Sequence, residues 1–422
     1  MNRGAWVAGV GMLAVLASVR PSAGQALVVT PRTFTFAEPP NEMVLENGQK
    51  LGPVTVVYET YGHLAADGRN GVLILHGMGG TAHAAGRHTA NPEERPGWWD
   101  ALIGPGRPFD TDRFYVVSPQ ALAGGHRDRK PGTGTTGPHS TDPRTGRPYG
   151  MRFPTFSIRD MVRVHKALLD HLGVKHLVVV SGVSMGGYQA LELICTFPDF
   201  ADGAIPVVAR GRSPAQHALD HFIRRMSIMN DANWQDGDYY DTGRYPTRGQ
   251  ALASMASSRS YNNAPSFNDD KQADVPGASP YDKVTNNFAF EGQLWANALE
   301  NAERNIDAND YLYQSRALAN QNLGWKRGDY SRGYRANLAD ALKLTSAAVL
   351  MMPSKTDDSV RPSYGQEIVD IMRTLGKRAE IHVIDSERGH GGSSEFSQMI
   401  PPMKRFIDSL PGGAGVRPAR QP

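Results

Sequence analysis

Cysteine is nearly absent from the chain: Cys195 is the only one in 422 residues. That excludes an intramolecular disulfide and a cysteine-built metal site, and leaves Cys195 as apolar filler. Charge of one sign is also scarce, since 45 Lys and Arg stand against 42 Asp and Glu for a net charge of +3, with no dense basic cluster. Neither nucleic acid nor a membrane surface is therefore expected as a partner. Long hydrophobic runs are missing except for Ala5 to Val19, which is too short for a comfortable bilayer span. Preceded by Arg3 and followed by the small residues Ser22-Ala23-Gly24-Gln25-Ala26, this run has the pattern of a secretory signal over residues 1–26 and predicts a periplasmic or secreted protein. Gly9 and Gly11 argue against a buried N-terminal helix instead. The remaining composition, 40% hydrophobic and 21% charged, suits one large soluble domain or a domain with an insertion.

What is present is organised around Val178-Val-Val-Ser-Gly182-Val183-Ser184-Met185-Gly186-Gly187. A β-branched run reads as a buried strand, it stops at Gly-x-Ser-x-Gly, and Gln189-Ala-Leu-Glu-Leu-Ile continues as a helix. A serine at such a corner carries strained dihedrals, tolerated because the flanking glycines leave room. Its hydroxyl is presented at the mouth of a sheet, and the amide of Met185 lies at a helix N-terminus, where it can meet a developing oxyanion.

Upstream, Val54 to Glu59 and Val72 to His76 read as strands, the second ending in His76-Gly-Met78-Gly-Gly80. A Gly-rich turn at this place supplies a second oxyanion donor, expected to be the amide of Met78, with His76 structural. Phe114 to Ser118 is the next strand, and the Gly/Pro/Thr/Arg-rich segment from Ala123 to Tyr149 is a long loop that either lines a site or is disordered. Ser157 to Asp160 forms a capping box, with apolar residues on one face up to Gly173. Strand and helix alternate through Gly203 to Ala209, pause, and resume at Ala347 to Met352 and Ala379 to Ile384, with a terminal helix from about Ser394 to Leu410. This alternation predicts an α/β fold with a mostly parallel sheet and helices on both faces. In the pause, residues 213–338 lack β-branched runs and show helical segments at Ala215 to Met229, Arg248 to Ser257 and Gln293 to Asn320. They read as an inserted helical cap on a core of residues 27–212 and 339–410, and the Pro/Gly-rich tail 411–422 reads as disordered.

A serine hydroxyl near neutral pH needs a base, and the base needs a carboxylate to fix its tautomer. His390, in a Gly-flanked loop after the last strand, is the one of thirteen histidines in such a place. The acid is Asp357 or Asp358, in the loop after the penultimate strand; the Asp-x-x-x-Pro spacing to Pro362 selects Asp358. The order Ser184, Asp358, His390 is that of α/β-hydrolases. A metal is not expected, because the candidate ligands lack a metal-binding spacing.

From about Phe36 to Leu410 the chain resembles the homoserine O-acetyltransferase family of the α/β-hydrolase fold. The likeness rests on Gly97-Trp-Trp-Asp, Asp110-Thr-Asp-Arg113, Gly134-Thr-Thr-Gly-Pro138, Pro148-Tyr-Gly150, Gln189-Ala-Leu-Glu192, Asn233-Trp with Gly237-Asp-Tyr-Tyr240, and Tyr311-Leu-Tyr313. The resemblance implies that Ser184 takes an acyl group with Asp358 and His390 as partners, and that Arg212 clamps the acceptor's carboxylate, as a guanidinium can. It also implies a dimer formed through the cap. Two positions depart from the family pattern: Gly391 follows His390 where Asp is usual, and His-Gly-Met-Gly-Gly replaces His-Ala-Leu-Thr-Gly. Together with the signal segment, these departures lead to a serine acyl-enzyme that hydrolyses a small ester outside the cytoplasm without a cofactor. The alternative is an O-acetyltransferase moving acetyl from acetyl-CoA to homoserine or a similar hydroxy amino acid, and a third reading is a non-catalytic binding protein on the same fold.

Overall fold

The computed structural model describes residues 27–126, 134–262, 284–285, 288–304, 306–325 and 337–414. The expected signal segment and the tail beyond residue 414 lie outside them. Ten strands are described: β1 Arg32–Phe36, β2 Met43–Val44, β3 Lys50–Leu51, β4 Val54–Tyr61, β5 Gly71–Leu75, β6 Tyr115–Pro119, β7 Leu177–Val183, β8 Ala201–Val207, β9 Ala348–Met351 and β10 Ala379–Ile381. Eight form one sheet in the order β1-β4-β6-β5-β7-β8-β9-β10, while β2 and β3 pair apart from it. From β6 to β10 every pairing is parallel; β1 and β4 join antiparallel at one edge. Strands buried on both faces explain the unbroken apolar runs, and all five residues of β5 are buried.

Helix α1, Ile158–His171, is opened by the expected capping box, with Ser157 accepting from the Asp160 amide. Its Val162, Leu168 and Leu169 pack into the same core as α2, Met185–Thr196, each such burial contributing about 1.5–3 kcal/mol. Between β8 and β9 every described element is helical: α3 Ala215–Met229, α4 Thr247–Tyr261, α5 Ala289–Arg304, α6 Ala308–Ala319 and α7 Leu338–Leu342, beside a short 3₁₀ turn. The helix read over Gln293 to Asn320 is two helices, because Asp307 caps α6 by accepting from the amides of Asn309 and Asp310. Helices α8 Pro362–Thr374 and α9 Phe396–Asp408 follow β9 and β10. Residues 411–414 are not part of a disordered tail. They form a helical turn, α10 Pro411–Ala414, docked through Gly412 N–H to Asp202 Oδ2 at 2.9 Å and through Arg113 to the Gly413 carbonyl. No described helix is long and apolar enough to cross a membrane.

Candidate active site

Ser184 sits between β7 and α2 at φ 54° and ψ −118°, a conformation costing about 1–3 kcal/mol for a residue with a Cβ. Packing dictates the glycines around it. A Cβ on Gly186 would fall 1.9 Å from the Leu75 carbonyl oxygen, and one on Gly182 2.4 Å from the Gly186 carbonyl carbon. The Ser184 N–H donates to Val207 O at 2.9 Å and its carbonyl accepts from Tyr188 N–H at 3.0 Å, so the corner is held from both sides while the residue stays half-buried. Met185 begins α2, and amides in a first helical turn have no acceptor within their own helix.

The Gly-rich loop after β5 runs against this corner: a Cβ on Gly77 would stand 3.6 Å from Ser184 Cβ. Gln314 of α6 holds the loop, its Oε1 accepting from Gly79 N–H at 3.0 Å and its Nε2 donating to the carbonyls of Leu122 and Ala123. His76 is structural, as expected. Its Nε2 accepts from Ala121 N–H at 3.0 Å, Nδ1 is 2.6 Å from Gly77 O, and burial pushes its pKa down to about 4.

His390 lies in a 3₁₀ turn, Gly389–Ser394, where Ser354 Oγ donates to the Gly389 carbonyl and Thr356 Oγ1 accepts from its amide. Its Nδ1 is 2.6 Å from Oδ2 of Asp357. The expectation of Asp358 is therefore corrected: Asp357 is 1% exposed, whereas Asp358 faces solvent. Asp357 Oδ1 accepts from the amides of Ser359 and Val360 at 2.9 and 2.8 Å. Burial pushes the Asp357 carboxyl up, but His390 and these amides outweigh it and hold it below the usual carboxylate range. Nε2 of His390 is buried and makes no hydrogen bond, so the serine hydroxyl is not bonded to it in this state. The ring is instead covered by Tyr261 of α4, stacked at 4.7 Å and 18°.

Arg212 is likewise corrected. It is 48% exposed and paired at 2.8 Å with Glu367, pointing to the surface rather than into a dry clamp. The buried guanidinium two residues earlier is Arg210, whose Nη1 donates to the Ser359 carbonyl at 2.5 Å and whose plane lies over Tyr188 and Tyr364.

The family model of the alpha/beta hydrolase fold matches residues 70–304. The chain is 38% identical over 385 residues to the homoserine O-acetyltransferase of Moorella thermoacetica, covering 91% of this chain and 97% of that protein. Among solved structures, homoserine O-acetyltransferase from Bacillus anthracis matches with a TM-score of 0.83 at 29% identity, over 91% of this chain and 99% of the other. Esterase E22 matches with a TM-score of 0.80 at 30% identity, over 90% and 100%. The chain belongs to the homoserine O-acetyltransferase family.

Within that family pattern the position after His390 is open. A Cβ on Gly391 would meet only Arg388, at 3.7 Å from its Cβ and 4.0 Å from its Nε. A cavity of about 310 Å³ separates the Gly-rich loop from the cap and is lined by Met78, Gly79, Ser254, Ser257, Tyr261 and Tyr311 among others. A larger cavity of about 440 Å³ lies at the start of α1. Neither is lined by Ser184, Asp357 or His390, and the chemistry is assigned to the smaller one because Met78 of the Gly-rich loop and Tyr261, whose ring stacks on His390, both line it. Gln314 and Tyr261 escaped the sequence reading. Gln314 directly follows the family-like Tyr311-Leu-Tyr313, but nothing around Tyr261 marks it.

Proposed function

We propose that this protein transfers an acyl group by way of Ser184. In this reading Ser184 Oγ attacks the carbonyl carbon of an ester or thioester and its proton passes to Nε2 of His390. Asp357 keeps the other nitrogen protonated and stabilises the imidazolium. The amides of Met78 and Met185 receive the oxyanion. Collapse of the tetrahedral intermediate expels the leaving group, which takes the proton from His390, and leaves acyl-Ser184. An acceptor hydroxyl then repeats the sequence in reverse. The observation carrying this reading is the bond between His390 and the buried Asp357, with the remaining imidazole nitrogen unbonded.

Transfer of acetyl from acetyl-CoA to homoserine or a similar hydroxy amino acid is the first reading of the second half-reaction. It is supported by likeness over nearly the full length of proteins named homoserine O-acetyltransferase; acetyl-CoA would be a substrate, not a resident cofactor. Hydrolysis of a small ester is the second reading, favoured by Gly391 in place of the family's Asp, by Arg212 lying at the surface, and by the likeness to esterase E22. It goes with export, the expectation drawn from residues 1–26. Acetyl-CoA-dependent acetylation of homoserine, run beside p-nitrophenyl acetate hydrolysis, separates the two. Transfer far faster than hydrolysis supports the first; hydrolysis with negligible transfer overturns it. A fluorophosphonate probe that failed to label folded protein at Ser184 would remove both.

The dimer expectation has support from α3, where Leu219, Phe222, Ile223, Met226 and Met229 form an exposed apolar stripe. A sedimentation experiment giving a monomer at micromolar concentration would remove it.

A further inference from the structure

Away from Ser184, three side chains of metal-binding type converge. Glu59 projects from β4 and is 1% exposed; His83 and His88 come from the segment following the Gly-rich loop. Nδ1 of His83 lies 3.1 Å from Glu59 Oε2, and Nε2 of His88 lies 2.7 Å from Oε1. One donor atom from each falls within 4.8 Å of the other two. In a tetrahedral zinc centre, metal–ligand distances of about 2.0–2.1 Å put neighbouring donor atoms roughly 3.3 Å apart. The triangle is thus close to one face of a coordination tetrahedron.

The surroundings fit an ion as well. Behind His88, its Nδ1 faces Glu94 Oε1 at 3.8 Å, and the Glu94 carboxylate is itself held by the amides of His88 and Thr89 and the Thr89 hydroxyl. At 3.8 Å this is a charge contact and not a hydrogen bond, and a carboxylate on that side favours the tautomer that leaves Nε2 free to ligate. Nε2 of His83 is buried without a hydrogen-bond partner, so no acceptor or donor fixes that ring from behind, and the tautomer with its proton on Nε2 leaves the Nδ1 lone pair for an ion. Tyr61 Oη donates to Glu59 Oε2 at 2.6 Å and accepts from the amides of Ala84 and Ala85, which anchors the carboxylate and the loop to each other. A buried carboxylate needs a compensating charge, which a divalent ion held between it and two imidazoles would supply. The side chain of His88 is 33% exposed and gives a route in from solvent.

We propose that Glu59, His83 and His88 bind one divalent transition-metal ion of the zinc class, with the fourth position left to water. The ion takes no part in the acyl chemistry; it ties β4 to the segment that begins with the loop carrying Met78. The sequence hides this group because Glu59 precedes His83 by 24 residues and belongs to a different element, so no local spacing signals it.

The test uses full-length protein treated with a chelator and titrated with Zn²⁺ by calorimetry and with Co²⁺ by its visible absorption. Expected is one ion per chain with a dissociation constant below about 1 μM, and a weakening of at least about 10–100-fold in His88→Gln. Glu59→Gln alone could fail to fold, whereas His88→Gln changes a partly exposed side chain, and an unchanged metal-free melting temperature checks that it folds. No saturable binding by the wild-type protein overturns the proposal. So does equal affinity in His88→Gln, which would mean that the ion sits elsewhere.

Discussion

His390 Nδ1 meets Oδ2 of Asp357 at 2.6 Å while the neighbouring Asp358 turns to solvent. The two aspartates, adjacent in sequence, therefore have separate fates on substitution. Asn at position 357 presents an amide to the imidazole and favours the tautomer that cannot accept the serine proton. Asp357→Asn is expected to lower kcat for p-nitrophenyl acetate by about 10⁴-fold, and Asp358→Asn to stay within about 2-fold because a solvated turn carboxylate contributes little. Losses of equal size, or the reverse ranking, would refute the assignment.

The arginines divide in the same way. An exposed pair such as Arg212–Glu367 is worth about 0–1 kcal/mol, so Arg212→Ala should change KM for a carboxylate-bearing ester by no more than about 5-fold. Arg210 bonds the carbonyl of Ser359, whose amide bonds Asp357. Arg210→Met removes a buried charge-assisted hydrogen bond of about 1.5–3 kcal/mol and should lower both the melting temperature and kcat, the latter by about 10-fold. A large KM effect in Arg212→Ala would restore the clamp that the family resemblance implied.

A buried pair between the segment linking β6 to α1 and helix α6 sets a pH dependence of stability. His139 Nδ1 lies 2.6 Å from Oδ2 of fully buried Asp310. Burial pushes the imidazole pKa down, yet the Asp310 charge and hydrogen bond, with Asp307, overcome this and raise it above its ordinary value of about 6.5. A raised histidine contributes stability that is complete below that ordinary value and is lost as pH rises through the folded one. Asp307, pushed up to about 6 by burial and by Asp310, has the same sign, since the fold retains its proton while the unfolded chain releases it. Buried His76, its pKa lowered to about 4, has the opposite sign over the same range, so this pair is isolated as the difference in stability between the wild type and His139→Gln, expected to be about 3–5 kcal/mol near pH 5 and to shrink as pH rises above 7. A wild-type-minus-variant difference that grows from pH 5 to pH 8 would contradict the sign.

Much of this site was legible because local chemistry and tertiary role coincide at Ser184: a strained corner needs glycines on both sides and a strand before it, and all three are written consecutively. Asp357 and Asp358 could not be told apart because the choice depends on how the chain leaves β9 and on which carboxylate the amides of Ser359 and Val360 capture. Spacing to Pro362 carries none of that. Arg210 and Arg212 posed the same problem, since both lie beyond the end of β8 at Val207, where no strand or helix period says which side chain turns inward. Strand β1 went unread because its Thr and Phe residues are partly exposed at a sheet edge and form no buried run. Tyr261 reaches His390 only through the packing of α4 against the turn Gly389–Ser394, which no short-range pattern encodes.

Position 391 offers a direct handle on the acceptor. The family's usual Asp would place a carboxylate next to the reacting imidazole, and the backbone here accommodates a side chain: the nearest atom to a Cβ on Gly391 is Arg388 Cβ at 3.7 Å, an ordinary contact. A hydrogen bond from a substrate ammonium to such a carboxylate is worth about 1.5–3 kcal/mol, or roughly 10–100-fold in affinity. Gly391→Asp should therefore increase the ratio of acetyl transfer to hydrolysis by about that factor when homoserine is supplied, chiefly through KM, and should leave p-nitrophenyl acetate hydrolysis in the absence of acceptor within a few fold, roughly. Arg388 opposes the gain, because its Nε stands 4.0 Å from the new Cβ and its guanidinium can capture the introduced charge. The double variant with Arg388→Gln should then exceed the single one. An unchanged ratio in both variants would mean that the acceptor's amino group does not approach His390 from this side.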